Sequence, residues 1–310
     1  MDFVVNWLAN VPGFAVPFAL AALGLIICEK AGVLNLGAEG YMLVGAMAGA
    51  GVMLSLDVHP LAALAVSALA AGLLSLLFAL LVIALRVNQV ISGLVIVFFA
   101  QGLTALIATS QGWTNRAFSG LQDLNFGVLS SLPGVGRIVF QQDLMVYLTI
   151  VIFAVVVHVL RATHVGMRLR AVGENPEAAD AAGVPVGWYR TGAVVVGCML
   201  IGLAGGYLSV AVSKIWVDGM SGGRGWIAIA LVIFARWQPW PALAGAVLFG
   251  CIEALIPRMA AIGLQLPQYF VLMLPYVVTL AVMVWTSLSA NRRSGQPAAL
   301  GQPFVREERR

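Results

Sequence analysis

The sequence predicts an all-α protein, a polytopic bundle of transmembrane helices with about nine spans, or eight to ten. Three observations predict it. Of 310 residues, 61% are hydrophobic and only 10% charged, and the mean hydropathy is +0.97. A soluble domain carries roughly a quarter charged residues. Apolar runs of about twenty residues recur along the chain, the length a helix needs to cross ~30 Å of hydrocarbon. Strands of a membrane β-barrel would be short and alternating instead. Small residues crowd these runs, as in AMAGAGV at 46–52, ALAAG at 68–72 and GLAGG at 202–206, which lets helices approach closely in lipid.

In chain order, the runs are Val11–Cys28, Val33–Leu56, Pro60–Leu85, Val90–Thr109, Asp143–Leu160, Thr191–Val212, Trp226–Trp237, Pro241–Pro257 and Tyr269–Leu288. Trp226–Trp237 is too short to cross at ~1.5 Å per residue. It starts earlier, near Gly219, or is broken. The first residues, MDFVVNWLAN, hold Asp2 and no basic stretch, unlike a cleaved signal peptide. Basic residues set the expected orientation. With residues 161–190 inside, the inner side holds Lys30, Arg86, Arg161, Arg168, Arg170, Arg190, Arg236, Arg292, Arg293, Arg306, Arg309 and Arg310. The outer side holds Arg116, Arg137, Lys214, Arg224 and Arg258. The N-terminus is therefore expected outside and the C-terminus in the cytoplasm. The chain divides into a transmembrane domain, 1–290, and a polar tail, 291–310, expected to be disordered.

Two glycine-rich stretches interrupt the apolar pattern. CEKAGVLNLGAEGYMLVGA, from Cys28 to Ala46, brings Glu29, Lys30, Asn35 and Glu39 close to Gly32, Gly37 and Gly40. VDGMSGGRGWIAIALVIFARW, from Val217 to Trp237, leads from glycines into an apolar helix. Each reads either as a turn at the headgroups or as an interrupted helix. Irregular backbone at membrane depth persists only where protein or a water-filled cavity satisfies it. Ser110–Gln142 is a long outer segment. It either caps a cavity, contacts a soluble partner or packs as a surface loop.

The polar island RATHVGMRLRAVGENPEAADAAGVPVGWYR, Arg161 to Arg190, is the longest inner loop. Asn175 is a helix cap, Pro176 takes the first helical position and Glu177 puts an acid in the first turn. Gly183 and Pro185 end the helix, giving a helix of about Pro176–Ala182 with a low-relief face of Ala178, Ala179, Ala181 and Ala182. An interfacial helix would carry large apolar residues. A capped helix without them suits a cleft on another protein.

Here the sequence resembles a known family. GMRLRAVGENPEAADAAGV is similar to the cytoplasmic coupling segment of ABC importer permeases of the branched-chain amino acid, ribose and nucleoside group. GVLNLGAEGYMLVGA and GGRGWIAIALVIFARWQPW resemble its nucleoside and simple-sugar branch, in the same order along residues 14 to 288. The resemblance implies the membrane permease subunit of an ATP-driven importer in the bacterial plasma (inner) membrane. Its partners would be cytoplasmic ATPase subunits holding ATP and magnesium, a second permease chain, identical or homologous, and an extracytoplasmic binding protein. Gly173, Glu174, Asn175, Pro176, Glu177, Ala178, Ala179 and Gly183 would then engage the ATPase. A nucleoside needs aromatic stacking and a few hydrogen-bonding groups. Asn35, Glu39, Tyr41, Asn88, Gln89, Gln101, Gly222 and Trp226, with Phe98 and Phe99, are the candidates along its path. Each also reads as a packing or helix-bridging residue. Sugar and branched-chain amino acid permeases are the alternatives within the family.

Other classes find less support. No G-x-x-x-x-G-K-[ST] phosphate loop occurs, and the only lysines, Lys30 and Lys214, do not follow glycine. The chain is thus expected to hydrolyse no ATP and to bind no cofactor itself. Cys28, Cys198 and Cys251 lie scattered in apolar runs, without metal spacing. An ion-coupled transporter would use intramembrane acids, and Glu253 is the one acid well inside a run. A membrane enzyme would need a cluster that His59, His158 and His164 do not form. A net charge of +4 is too small to argue for nucleic acid.

Overall fold

The computed structural model describes residues 2–125, 127, 130, 135–261, 273, 277, 280, 281, 284 and 295–305. These build α1 (Asp2–Lys30), α2 (Ala38–Leu56), α3 (Pro60–Ala79), α4 (Gln89–Ser110), α5 (Val135–Val139), α6 (Leu144–Ala162), α7 (His164–Glu174), α8 (Pro176–Ala181), α9 (Val186–Tyr207), α10 (Arg224–Phe234) and α11 (Pro239–Ala261). A wider turn extends α3 through Ala84 and α9 through Ser213. Seven helices among the described residues are long and apolar enough to cross a membrane. They take up seven of the nine expected runs. Trp226–Trp237 falls on α10, which has 11 residues and reaches only about 16 Å. Tyr269–Leu288 lies outside the described residues except at 273, 277, 280, 281 and 284.

Burial sorts the helices. The most apolar stretches of α1, α2 and α9 are 83%, 72% and 72% buried, against 28–39% for those of α3, α4, α6 and α11. The first three form the centre. The others turn apolar residues outward, including Leu73 and Leu76 of α3, Phe98 and Leu106 of α4, and Val151 and Val155 of α6, as a lipid-facing surface requires.

Small residues bring the central helices together. A Cβ on Gly24 of α1 would stand 2.3 Å from the carbonyl oxygen of Gly197 on α9. A Cβ on Gly45 of α2 would stand 2.0 Å from that of Gly202. The helix axes therefore approach as closely as backbone allows, and dispersion contacts hold them where lipid offers no hydrophobic drive. On its other side, Gly206 of α9 meets Ser67 of α3.

The connections gather at two ends. At one end lie Lys30, Arg86, Arg190 and Arg236, the polar segment 162–185 and residues 295–305, linked by the contacts described below. At the other end, residues 111–125 run back along α9. Leu121 N donates to Val210 O at 3.1 Å, Phe118 N to Lys214 O at 3.2 Å and Asn115 N to Trp216 O at 2.9 Å. The Gln142 amide reaches Ala9 O on α1 at 2.8 Å. The long segment Ser110–Gln142 is thus packed on the bundle where it is described.

Gly45→Ala is expected to cost about 1–3 kcal/mol, because its methyl overlaps backbone that cannot rotate away. Gly102→Ala, whose Cβ would meet nothing within 4 Å, serves as the control. Thermal unfolding of the purified variants in detergent should separate the two by several degrees.

Candidate functional site

The two glycine-rich interruptions, 182 residues apart, meet at one carboxylate. The Glu39 side chain accepts from Ser221 Oγ at 2.6 Å, from Gly223 N at 2.8 Å and from Gly225 N at 2.7 Å. The last two donors belong to the start of α10, whose own cap residue, Gly223, offers no side chain. An acid there satisfies orphan N–H groups and meets the positive end of the helix dipole. Gly225 is the reason the approach is possible, since a Cβ on it would stand 2.4 Å from Glu39 N.

The first interruption, residues 31–37, dips between helices. Gly32, at φ +83°, is wedged among Arg190, Ala299 and Gly173. Val33 to Asn35 are irregular, with Val33 and Asn35 buried and Leu34 half-buried. Asn35 donates to Cys198 Sγ at 3.2 Å and accepts from Gly37 N at 3.0 Å. Cys198 lies eight residues along α9 from Arg190, about 12 Å deeper. Leu34 N is satisfied by Gln89 Oε1 at 2.7 Å. The chain reverses here, α1 running against α9 from Tyr207 to Ala193 and α2 running with it from Cys198 to Val210, so the segment is a turn between antiparallel helices that is drawn into the bundle, and α2 begins inside it.

The second interruption descends from the opposite end. Lys214, at φ +55°, stops the α9 extension, and Trp216 is fully buried. Gly219, Gly222 and Gly223 all take positive φ before α10 runs toward the basic end. There the Trp237 indole N–H donates to Glu29. Arg224 pairs with Glu253 at 2.6 Å. So Glu29 anchors the far end of α10, and Glu253 is the counter-charge of Arg224.

The expected path residues divide. Asn35, Glu39, Tyr41 and Gln89 are buried around the interruptions. The Tyr41 hydroxyl and the Gln89 amide nitrogen have no hydrogen-bond partner among the described residues. Gly222 is exposed and Trp226 half-buried beside them. Asn88 and Gln101 do not join this group. Asn88 is an exposed helix cap that accepts from Val90 N and Ile91 N at 3.0 and 3.1 Å. Gln101 lies on the exposed face of α4, as do Phe98 and Phe99. Ser221 and Arg224 escaped the sequence reading of this region. Their partners stand on distant helices, and no local pattern marks them. Among the described residues no three His, Cys, Asp or Glu side chains are grouped to hold a metal.

The polar segment holds two helices. α7 starts at Thr163, which accepts from Gly166 N at 3.2 Å. Its Leu169 packs with Ile27, Ala31, Leu160 and Ala193. Only α8 is evident from the sequence, yet the spacing of Leu169 and Val172 carried the signal for α7. Asn175 caps α8 through Ala178 N at 2.9 Å, and Gly183 ends it at φ +81°. Glu174, Asn175, Glu177, Ala178, Ala181, Ala182 and Gly183 are exposed, and Pro176 is half-buried. Ala179 and Gly173 are not available to a partner. Ala179 packs with Val172, Val186 and Phe304. A Cβ on Gly173 would stand 2.2 Å from Lys30 O.

The composition of 291–310 predicts disorder, but residues 295–305 lie along this segment. Lys30 Nζ donates to Gly295 O at 2.9 Å. Ala298 N donates to Glu174 at 3.3 Å, Ala299 N to Gly173 O at 3.0 Å and Gly301 N to Gly32 O at 3.2 Å. Arg190 Nη1 donates to Gln302 O at 3.0 Å. These bonds use mostly backbone groups, which composition does not reveal. At the opposite end Asp143 caps α6 through Met145 N at 2.8 Å and accepts from the Tyr207 hydroxyl. Burial pushes its carboxyl pKa above the usual range, against the lowering effect of those hydrogen bonds.

The profile of a family described as "Branched-chain amino acid transport system / permease component" matches residues 7–284. The putative glucose ABC transporter permease protein TsgC13 of Haloferax volcanii is 37% identical over 99% of this chain and 99% of its own. The nucleoside ABC transporter permease protein NupC of Lactococcus lactis subsp. cremoris is 33% identical over 90% of this chain and 93% of its own. The guanosine ABC transporter permease protein NupQ of Bacillus subtilis is 30% identical, over 96% and 95%. No solved structure matches.

Glu39→Ala strands two backbone N–H groups and a buried hydroxyl, each at about 1–3 kcal/mol. Glu39→Gln keeps an acceptor oxygen of the same reach. The expected order of thermal stability is wild type, Glu39→Gln, Glu39→Ala, read by thermal unfolding in detergent.

Proposed function

Because the chain belongs to the branched-chain amino acid transport permease family, we propose that it is the membrane subunit of an ATP-driven importer of nucleosides, powered by separate cytoplasmic ATPase subunits. The observation that carries the reading is the exposed, capped α8 at the basic end of the bundle. It works with a second permease chain and an extracytoplasmic binding protein in the plasma membrane, with the basic end in the cytoplasm. The excess of basic residues at that end supports this orientation.

Contiguous contacts connect α8 to the interruptions. Ala179 and Phe304 seat α8 on Val172 and Val186. Gly173 rests on Lys30, and residues 295–305 tie Gly32 to Glu174 and Arg190. Gly32 lies in the segment that leads into α2, and Glu39, in the first turn of α2, holds the start of α10. A push on α8 by an ATPase thus reaches both interruptions through packed backbone. Packed contacts of this kind favour discrete alternative arrangements over gradual bending.

A neutral substrate suits this path. Glu39 is occupied as a cap and Arg224 is paired with Glu253. The groups left over, the Tyr41 hydroxyl and the Gln89 amide, are neutral donors of the kind that hydroxyls and nucleobases accept. The NupC and NupQ relatives favour a nucleoside. The TsgC13 relative favours a second reading, glucose.

Two measurements test the proposal. Uptake of labelled adenosine, uridine, ribose, glucose and leucine by cells with and without this gene identifies the substrate. Gene-dependent nucleoside uptake is expected, and uptake of glucose or leucine without nucleoside would reassign it. Ala178→Trp should abolish uptake and ATPase association at unchanged thermal stability, and Glu174→Arg should do the same with a small loss of stability, because it also gives up the Ala298 N–H. Ala179→Trp should lower stability instead, because that residue is buried. Normal uptake in both exposed-site variants would remove α8 from coupling.

A further inference from the structure

The basic end holds a buried cation without a counter-charge among the described residues. Arg190 is 3% exposed. Nη1 bonds Gln302 O, while Nε and Nη2 have no hydrogen-bond partner among the described residues. The ion pair among the described residues is Arg224 with Glu253, far from it. Burying a guanidinium without an anion is costly, and such charges are paired in stable proteins.

Arg190 forms part of the wall of a cavity of about 170 Å³ with Arg86, Val186, Gly187 and Phe304. Two further features make this cavity electropositive. Arg86 follows the wide turn of α3 at φ +57°, a left-handed conformation that costs a non-glycine residue energy. Val186 and Gly187 are the first residues of the 22-residue α9, which lacks a side-chain cap. Their N–H groups and the helix dipole favour an anion there. The cavity lies where α3 ends and α9 begins, and the adjoining Leu80 and Leu85 are exposed apolar residues. This is the level at which a membrane helix leaves hydrocarbon for headgroups.

We propose that this cavity binds a phosphate group through Arg86, Arg190 and the start of α9. Forked guanidinium donors and helical N–H groups match a tetrahedral oxyanion better than they match water. The phosphate belongs either to a phospholipid headgroup or to free inorganic phosphate. The inference stands on geometry independent of the transport reading.

The test uses the full chain, purified in an uncharged detergent and assayed free of phosphorus. Thermal unfolding is followed at constant ionic strength with inorganic phosphate, dihexanoylphosphatidylglycerol or uncharged dihexanoylglycerol. A saturable rise with a phosphate-bearing probe, absent with dihexanoylglycerol, is expected. Arg86→Ala should raise the half-saturating concentration at least about tenfold, the loss of one charged hydrogen bond. Arg190→Gln should abolish the effect. Because Arg190→Gln removes a buried group and can fail to fold, the exposed Arg86 variant decides. Saturation by the lipid about a hundredfold below phosphate assigns a headgroup, and comparable saturation assigns free phosphate. No shift with either probe, or an Arg86→Ala titration equal to wild type, overturns the proposal. So does a shift that appears only after residues 306–310 are removed, since Glu307 or Glu308 would then be the native anion.

Discussion

The structure depends on the carboxylate of Glu39. Two stretches of irregular backbone inside an apolar bundle leave donors and acceptors that neither lipid nor regular helix can satisfy. Glu39 takes the donors at the start of α10, Asn35 and Gln89 take those of the first interruption, and glycines admit the approach. Each interruption is stabilised by a side chain borrowed from another element. The first is held by Gln89 of α4 and by its own Asn35 on Cys198, and the second by Glu39 of α2. The bond from Glu39 to the start of α10 ties the two together.

Around this unit the bundle is built by backbone proximity. Gly24, Gly45, Gly197 and Gly202 let α1 and α2 close onto α9, so the centre is rigid where two polar seams would otherwise weaken it. The outer helices turn large apolar side chains outward. Three acids fix α10: Glu39 at its start, Glu253 through Arg224, and Glu29 at its finish.

Much of this is legible in the sequence because its causes are local. Apolar length marks the spans. Asn175, Pro176 and Gly183 mark both ends of α8. Glycines beside Asn35 and Glu39 mark a break. What stays hidden is pairing at a distance. Nothing near Glu39 names Ser221, and nothing near Glu253 points to Arg224 rather than Arg258. Asn88 illustrates the opposite case. An asparagine before an apolar run signals a helix cap, and that local role is the one the structure gives it. Residues 295–305 were hidden for a third reason. Their attachment runs through backbone carbonyls and amides and one apolar ring, Phe304, while their composition reads as solvated chain.

Those last residues also impose an order on biogenesis. Chains emerge from the ribosome N-terminus first, so α7 and α8 are made more than a hundred residues before the strand that covers them. Until Ala299 reaches Gly173 and Gln302 reaches Arg190, the surface around α8 lacks one of its walls and a buried arginine lacks a ligand. A nascent or prematurely terminated chain therefore displays an incomplete surface.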